Sequence, residues 1–368
     1  MTTDPSQALR TVVIGVGAGI FKTHRGVLAD SEFEIVGVAD INPDAALEMG
    51  TALDCPFFTD HRSLLAETNP QVAVIVTPHP FHAPIAIDCL QAGCHVLVEK
   101  PIAVQVAEAD AMVEAAATAN RLLAVSFQQR FRPEVRTAYK LIHEGALGQI
   151  QHVYMNVVWP RSLRYFEFAG WRGTWKGEGG GVLLNQAPHN LDMLCHLMGM
   201  PSQLVAWTRT RFHKIETEDT VEAMLEWPGG ALGSVHISTA EAGAPERLEV
   251  SGTAGYLEIA RGAVTYQKLD QDVRTFLVET EEMYRGPATQ LVDVPLESGR
   301  GHHASVYADF HQAITQGTPL MTDGSEARMS LELANGMILS SYSGRAIQFP
   351  LDRPAYAELL AGLQAQAK

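Results

Sequence analysis

Short apolar runs recur through the first third of the chain, each followed by a stretch of helical periodicity. Thr11–Ile14 runs into a glycine turn, Gly15-Val16-Gly17-Ala18-Gly19-Ile20, and a helical stretch continues through Leu28. Further runs at Glu34–Asp40, Val72–Thr77, His95–Val98 and Leu122–Ser126 are short and continuously apolar, as strands buried on both faces are. Helical segments at Pro84–Ala92 and Ala107–Ala119 separate them. Strands alternating with helices predict an α/β unit built on a parallel, doubly wound sheet.

From Phe127 the texture changes. Gln128–Pro133 is a polar crossing, and a helix follows to about Glu144. Strand patterns then dominate, at Ile150–Trp159, Gln203–Phe212, Thr220–Trp227, Ala231–Thr239, Arg247–Ser251, Gly255–Ala260 and Ala263–Lys268. Trp227-Pro228-Gly229-Gly230-Ala231 reads as a hairpin turn, and short connections imply a mostly antiparallel sheet with one face to be covered. Asp270–Gly301 is polar and carries no clear pattern; helices near His303–Gln316 and Ser325–Ser343 close the chain. The expected organisation is an α/β domain over residues 1–127 and an α+β domain over residues 128–368, whose C-terminal helices either stay with it or pack back on the first domain.

The chain of 368 residues is too long for one ordinary core. Its net charge of −15, with no basic block, argues against nucleic acid or an anionic membrane as partner. Met1–Arg10 lacks the apolar core of a secretion signal, and no run is long enough to cross a bilayer, so a cytoplasmic protein is expected. Cys55, Cys89, Cys94 and Cys195 lack zinc-site spacing and read as reduced thiols.

The glycine turn and Asp40, about twenty residues beyond it, fit a dinucleotide site. The glycines would admit a pyrophosphate and the acid would hold the adenosine ribose, favouring NAD(H) over NADP(H). The pattern is imperfect, because Ile20 occupies its sixth position. The strand His95–Val98 ends in Glu99-Lys100-Pro101, a charged pair at the edge where open α/β sheets bind ligands. Thr77-Pro78-His79-Pro80 falls on the same edge. In the second half, Tyr165, Trp171, Arg172, Trp175 and Lys176 crowd one loop before Glu178-Gly179-Gly180-Gly181. Asn185 and His189 follow, four residues apart, a spacing that puts both on one face if both are helical, with Pro188 putting His189 near a helix start.

Across essentially its whole length the sequence resembles the glucose–fructose oxidoreductase / inositol dehydrogenase / rhizopine catabolism (Gfo/Idh/MocA) family. The landmarks are Gly15-x-Gly17, Thr77-Pro78 with His82, Ala92–Pro101, Arg130-Phe131-x-Pro133, Trp171-Arg172-Gly173, Gly179-Gly180-Gly181-x-Leu183 and His189-x-Leu191-Asp192. The resemblance implies a Rossmann domain followed by a domain with a large open sheet, whose exposed face builds a homo-oligomer, a dimer or tetramer. It also implies NAD(P)-dependent oxidation of a secondary alcohol on a sugar, glycoside or cyclitol, or the reverse reduction. The family's catalytic lysine maps to Lys100 and its histidine to His189. Asn185 stands where the family frequently has aspartate, and His79 where asparagine is common. Residues expected at the cofactor are Gly15, Gly17, Ala18, Gly19, Ile20, Asp40, Thr77, Pro78, His79, His82, Glu99, Lys100 and Gln128.

Such a reaction needs a base for the hydroxyl proton and a charge for the developing alkoxide. His189 suits the first role and Lys100 the second, with Asn185 bonding a neighbouring hydroxyl. Tyr165, Trp171 and Trp175 read equally as sugar platforms or as core, and Arg172 as an acid-binding group or a carbonyl partner. His189, Asp192 and His196 recur at helical spacing, but His196 falls inside an apolar helix and no metal is expected. Two other functions use the same residues: a redox-neutral glycosidase or epimerase that retains NAD, and a non-catalytic NAD- or sugar-sensing regulator.

Overall fold

The structure is a computed structural model that describes residues 8–29 and 32–366. The N-terminal reading above falls mostly on residues outside that range. Six strands form the first sheet: β1 (Leu9–Ile14), β2 (Phe33–Ala39), β3 (Phe57–Phe58), β4 (Val72–Ile75), β5 (His95–Val98) and β6 (Leu123–Val125). Their order is β3-β2-β1-β4-β5-β6 and every pairing is parallel. The order reverses direction at β1, which opens a crevice at the carboxyl ends of β1 and β4. β4 and β6 are buried at every position, because crossover helices cover both faces. β3, two residues long, is too short to show a sequence period.

The second sheet holds nine strands: β7 (Ile150–Val158), β8 (Gln203–Arg209), β9 (Thr220–Glu226), β10 (Leu232–Ser238), β11 (Arg247–Gly252), β12 (Gly255–Ala260), β13 (Ala263–Leu269), β14 (Thr289–Val292) and β15 (Ile347–Gln348). Its order is β14-β13-β12-β11-β7-β10-β9-β8-β15. Only β7 and β10 pair in parallel; the sheet is mixed but mostly antiparallel, as predicted. β9 alternates strictly, with Val221, Ala223 and Leu225 buried while Glu222 and Met224 are exposed. One face is therefore core and the other is not.

Several elements escaped the sequence pattern. The polar stretch 270–301 contains a helix, Val273–Glu279, with no buried residue, and the edge strand β14. A helix at Leu163–Glu167 sits in the aromatic loop, again with no buried residue. A third closing helix, Arg353–Gln366, follows the two predicted ones and buries Tyr356 and Leu360. Marginal burial leaves little periodicity to read.

The chain divides into two compact units. One comprises residues 1–128, 176–179 and 301–331; the other comprises 129–175, 180–300 and 332–368. The helix His303–Gln316 thus belongs with the first sheet, where it packs on Phe21–Leu28.

Candidate active site

In the first unit, β1 feeds directly into the glycine turn. Gly15 has φ +97°, and a Cβ there would lie 2.8 Å from the Thr77 amide nitrogen, so the crossing of β1 past β4 tolerates no side chain. Gly17 donates its N–H to Asp40 Oδ2 at 2.7 Å, while Asp40 Oδ1 accepts from the Asn42 amide at 2.8 Å. The acid at the end of β2 therefore sets the glycine loop. Gly17, Gly19 and Ile20 are exposed, Ala18 is half-buried, and a Cβ on Gly19 would meet nothing. The open loop leads into Phe21–Leu28, whose first amides carry no side-chain cap. Thr77 Oγ1 and Gln128 Oε1 are buried without a hydrogen-bond partner. A helix start without a side-chain cap, a glycine cradle and unsatisfied polar atoms fit a dinucleotide, with its pyrophosphate at the loop.

Lys100, half-buried, follows the carboxyl end of β5, and its peptide to Pro101 is cis. Glu99 faces inward. Its Oε1 lies 2.9 Å from His24 Nε2 and 3.6 Å from His303 Nε2, and its Oε2 accepts from the Lys100 amide at 3.1 Å. His24 Nδ1 lies 2.8 Å from the Tyr307 hydroxyl. Burial alone would raise the Glu99 carboxyl. Hydrogen bonds from His24 and His303, with the charges of His24 and Lys100, outweigh it and hold the group well below its usual range.

His79 and His82 are buried beside this strand end. Burial pushes the His79 imidazole well down, and its Nδ1 lies 3.3 Å from the Glu178 carbonyl. His82 Nδ1 and Nε2 each lie 2.8 Å from a carbonyl, of Pro101 and Thr77 respectively.

His24, His303 and Tyr307 carried no function in the sequence reading. The signal for His24 is its place in the buried stripe Phe21, His24, Leu28 of an otherwise polar helix.

In the second unit, the short helix Val182–Asn185 ends at Asn185, and a new helix, Pro188–Met198, starts with Pro188 and His189. The break at Gln186–Ala187 separates the two residues, so they do not share one continuous helical face. The cause is Pro188, which cannot continue the preceding helix. His189 is half-buried in the first turn, as expected from Pro188. Tyr165 donates its hydroxyl to Asn185 Oδ1 at 2.8 Å. The Arg172 guanidinium lies 4.1 Å over the Tyr165 ring and donates to the Tyr165 carbonyl at 3.2 Å. Tyr165, Arg172 and Asn185 thus form one group. Trp175 is separate: it is buried, and both its N–H groups are spent on Glu216.

Gly181 is fixed by crowding, since a Cβ would sit 1.9 Å from the Glu218 carbonyl oxygen. Glu218 Oε1 accepts from the Gly181 and Leu183 amides at 2.8 and 3.1 Å, capping the helix that carries Asn185. Its Oε2 has no partner, and burial pushes the carboxyl up to about 7. Sequence alone gave no reason to single it out. Asp192 is committed to a buried two-pronged pair with Arg130, at 2.9 and 2.7 Å. His196 stacks on Tyr139, and burial pushes its imidazole down to about 3. Neither is disposed toward a metal with His189.

Comparison with known proteins agrees with this layout. Residues 9–127 match the model for the oxidoreductase family with NAD-binding Rossmann fold. Residues 135–258 match the GFO/IDH/MocA C-terminal domain. The trans-1,2-dihydrobenzene-1,2-diol dehydrogenase of Bos taurus is 30% identical over 257 residues, 68% of this chain and 74% of that protein. The levoglucosan dehydrogenase of Pseudarthrobacter phenanthrenivorans is 28% identical over 333 residues, 79% of this chain and 84% of that one. Among solved structures, the WlbA dehydrogenase from Bordetella pertussis in complex with NADH and UDP-GlcNAcA superposes with a TM-score of 0.80 at 29% identity. That match covers 94% of this chain and all of the other.

Proposed function

Because the chain belongs to the Gfo/Idh/MocA family of NAD-binding oxidoreductases acting on sugar and diol hydroxyls, we propose that it uses NAD(H) to oxidise a secondary alcohol on a sugar, glycoside or cyclitol. The observation that carries the reading is the joint placement of Asp40 on the glycine loop and Lys100 beyond the carboxyl end of β5 in the same parallel sheet. Asp40 is the basis for NAD(H) over NADP(H), because a carboxylate repels a 2′-phosphate.

Bound NAD⁺ supplies the hydride acceptor. Gly15, Gly17 and Asp40 would hold its adenosine half, with Thr77 and Gln128 available toward the other end. Lys100 holds the reacting oxygen and stabilises the developing alkoxide as its ammonium. His189 takes the hydroxyl proton. Asn185, fixed by Tyr165, bonds an adjacent hydroxyl, and Arg172 braces Tyr165 through its ring. With Asn185 replacing an aspartate, the base passes its proton to solvent and not to a neighbouring carboxylate.

The exposed face of the second sheet supports a homo-oligomer. Trp207, Met224 and Leu232 are each about half exposed there, at 49, 49 and 51%. No helix among the described residues is long and apolar enough to cross a membrane, and a cytoplasmic setting with reduced cysteines fits that composition.

The test is NADH formation over a panel of polyols, glycosides and cyclitols. Substrate-dependent NADH is expected. A protein that binds NAD⁺ yet reduces none of it, while converting a glycoside without net NADH, is instead the redox-neutral enzyme.

A further inference from the structure

We propose that Arg172, assisted by Arg161, binds a carboxylate on the substrate, so that the site takes a sugar acid or its glycoside in preference to the neutral sugar. The inference rests on the dehydrogenase reading and narrows its substrate class.

Both arginines converge on one aromatic ring in the second unit. The Arg172 guanidinium lies 4.1 Å from the Tyr165 ring centroid and the Arg161 guanidinium 5.4 Å from it. The Trp171 ring lies 5.5 Å from Arg172. Aromatic faces hold a guanidinium in place without spending its N–H groups. Tyr165 in turn donates its hydroxyl to Asn185, so the two cations stand beside the amide proposed to bond a substrate hydroxyl.

The hydrogen-bond count leaves donors over. An arginine carries five N–H groups and accepts nothing. Arg172 spends Nη1 on the Tyr165 carbonyl, and its Nε is buried with no partner. Arg161 spends Nη1 on the Pro160 carbonyl at 3.1 Å. A buried N–H left unmade is costly, and a bound acceptor removes that cost. The Nε edge of a guanidinium offers two parallel N–H groups, which one carboxylate accepts with both oxygens.

The charges point the same way. Arg130, Arg328 and Arg353 each pair with a carboxylate. Among the described residues Arg161 and Arg172 pair with none. Glu167, on the same short helix as Tyr165, is exposed and in no ion pair, and Glu216 accepts from the Trp175 amide. Two cations left without a counter-charge in a chain of net charge −15 make a local anion site.

Calorimetric titration of the NADH-loaded full chain tests this, with glucuronate, galacturonate and mannuronate set against glucose, galactose and mannose. At least one acid should bind about tenfold or more tightly than its neutral sugar. That preference should shrink between about 50 mM and about 500 mM NaCl, while binding of the neutral sugar holds. Arg172→Gln should bring the preference close to one, and Arg161→Gln should lower it about threefold. Each variant is scored by its own ratio of acid to neutral sugar, so a loss from a displaced Tyr165 cancels. No preference for any acid in the parent, or a preference that survives Arg172→Gln, overturns the proposal. NADH formation from neutral sugars alongside that result leaves the dehydrogenase reading standing. An acid preference with no NADH formed from any sugar supports the carboxylate site and removes the dehydrogenase reading.

Discussion

Glu99 and Glu218 are both buried carboxylates standing directly behind a candidate site residue, yet they hold their protons in opposite ways. Glu99 precedes Lys100 in the first unit; Glu218 caps the helix that ends in Asn185 in the second. Burial raises both. Around Glu99 it is overcome by His24, His303 and Lys100, gathered from three separate elements. Around Glu218 only backbone amides oppose it, Asp219 adds a like charge, and one oxygen has no partner. Charge behind Lys100 is thus fixed by dedicated side chains, and behind Asn185 it is left to the ambient pH.

The sharpest way to break this contrast is to delete the fixed charge. Glu99→Ala leaves His24, His303 and Tyr307 facing a hole in a buried network and should cost about 3–5 kcal/mol in urea unfolding. The carboxyl is held low in the folded chain, so its contribution is present above the unfolded pKa and is lost as pH falls through the acid range. Stability of Glu99→Ala should accordingly depend less on acid than that of the parent. A cost under about 1 kcal/mol would mean the histidines do not hold the carboxylate.

Glu218 has the opposite sign. The folded chain keeps its proton up to about 7 while the unfolded chain releases it near 4.5. Stability from this group is therefore full below the unfolded value and lost as pH rises across that window, by at most about 3 kcal/mol. Glu218→Gln should flatten the slope across the window while keeping one acceptor for Gly181 and Leu183. A slope equal to the parent's would show that Glu218 titrates as an ordinary acid.

The smallest effect belongs to the substrate side. Tyr165→Phe removes one hydroxyl hydrogen bond to Asn185, worth about 1 kcal/mol, or about fivefold in KM. NADH affinity should not change. A change in NADH affinity equal to that in KM would remove Tyr165 from the substrate side of the account.

Legibility followed the same divide. Buried parallel strands write continuous apolar runs, and half-covered antiparallel strands write alternation, so both sheets were readable. Lys100 was conspicuous because a charge at a strand end is costly without a use. Phe57–Phe58 and Ile347–Gln348 are too short for any period. Pro188 put His189 at a helix start, as found, but the four-residue spacing to Asn185 could not reveal the break that Pro188 imposes between them. Glu218 was invisible, because its partners are backbone amides that no side-chain pattern records. The tie between His303 and Glu99 could not be read from the sequence, since the two lie some two hundred positions apart in the chain.

The most direct test of the dehydrogenase account is the Lys100→Met variant, assayed side by side for NADH binding by fluorescence and for turnover on the best substrate of the polyol panel. NADH affinity within about threefold of the parent, with turnover lower by about 100-fold or more, is the expected result. Turnover equal to the parent's would contradict it.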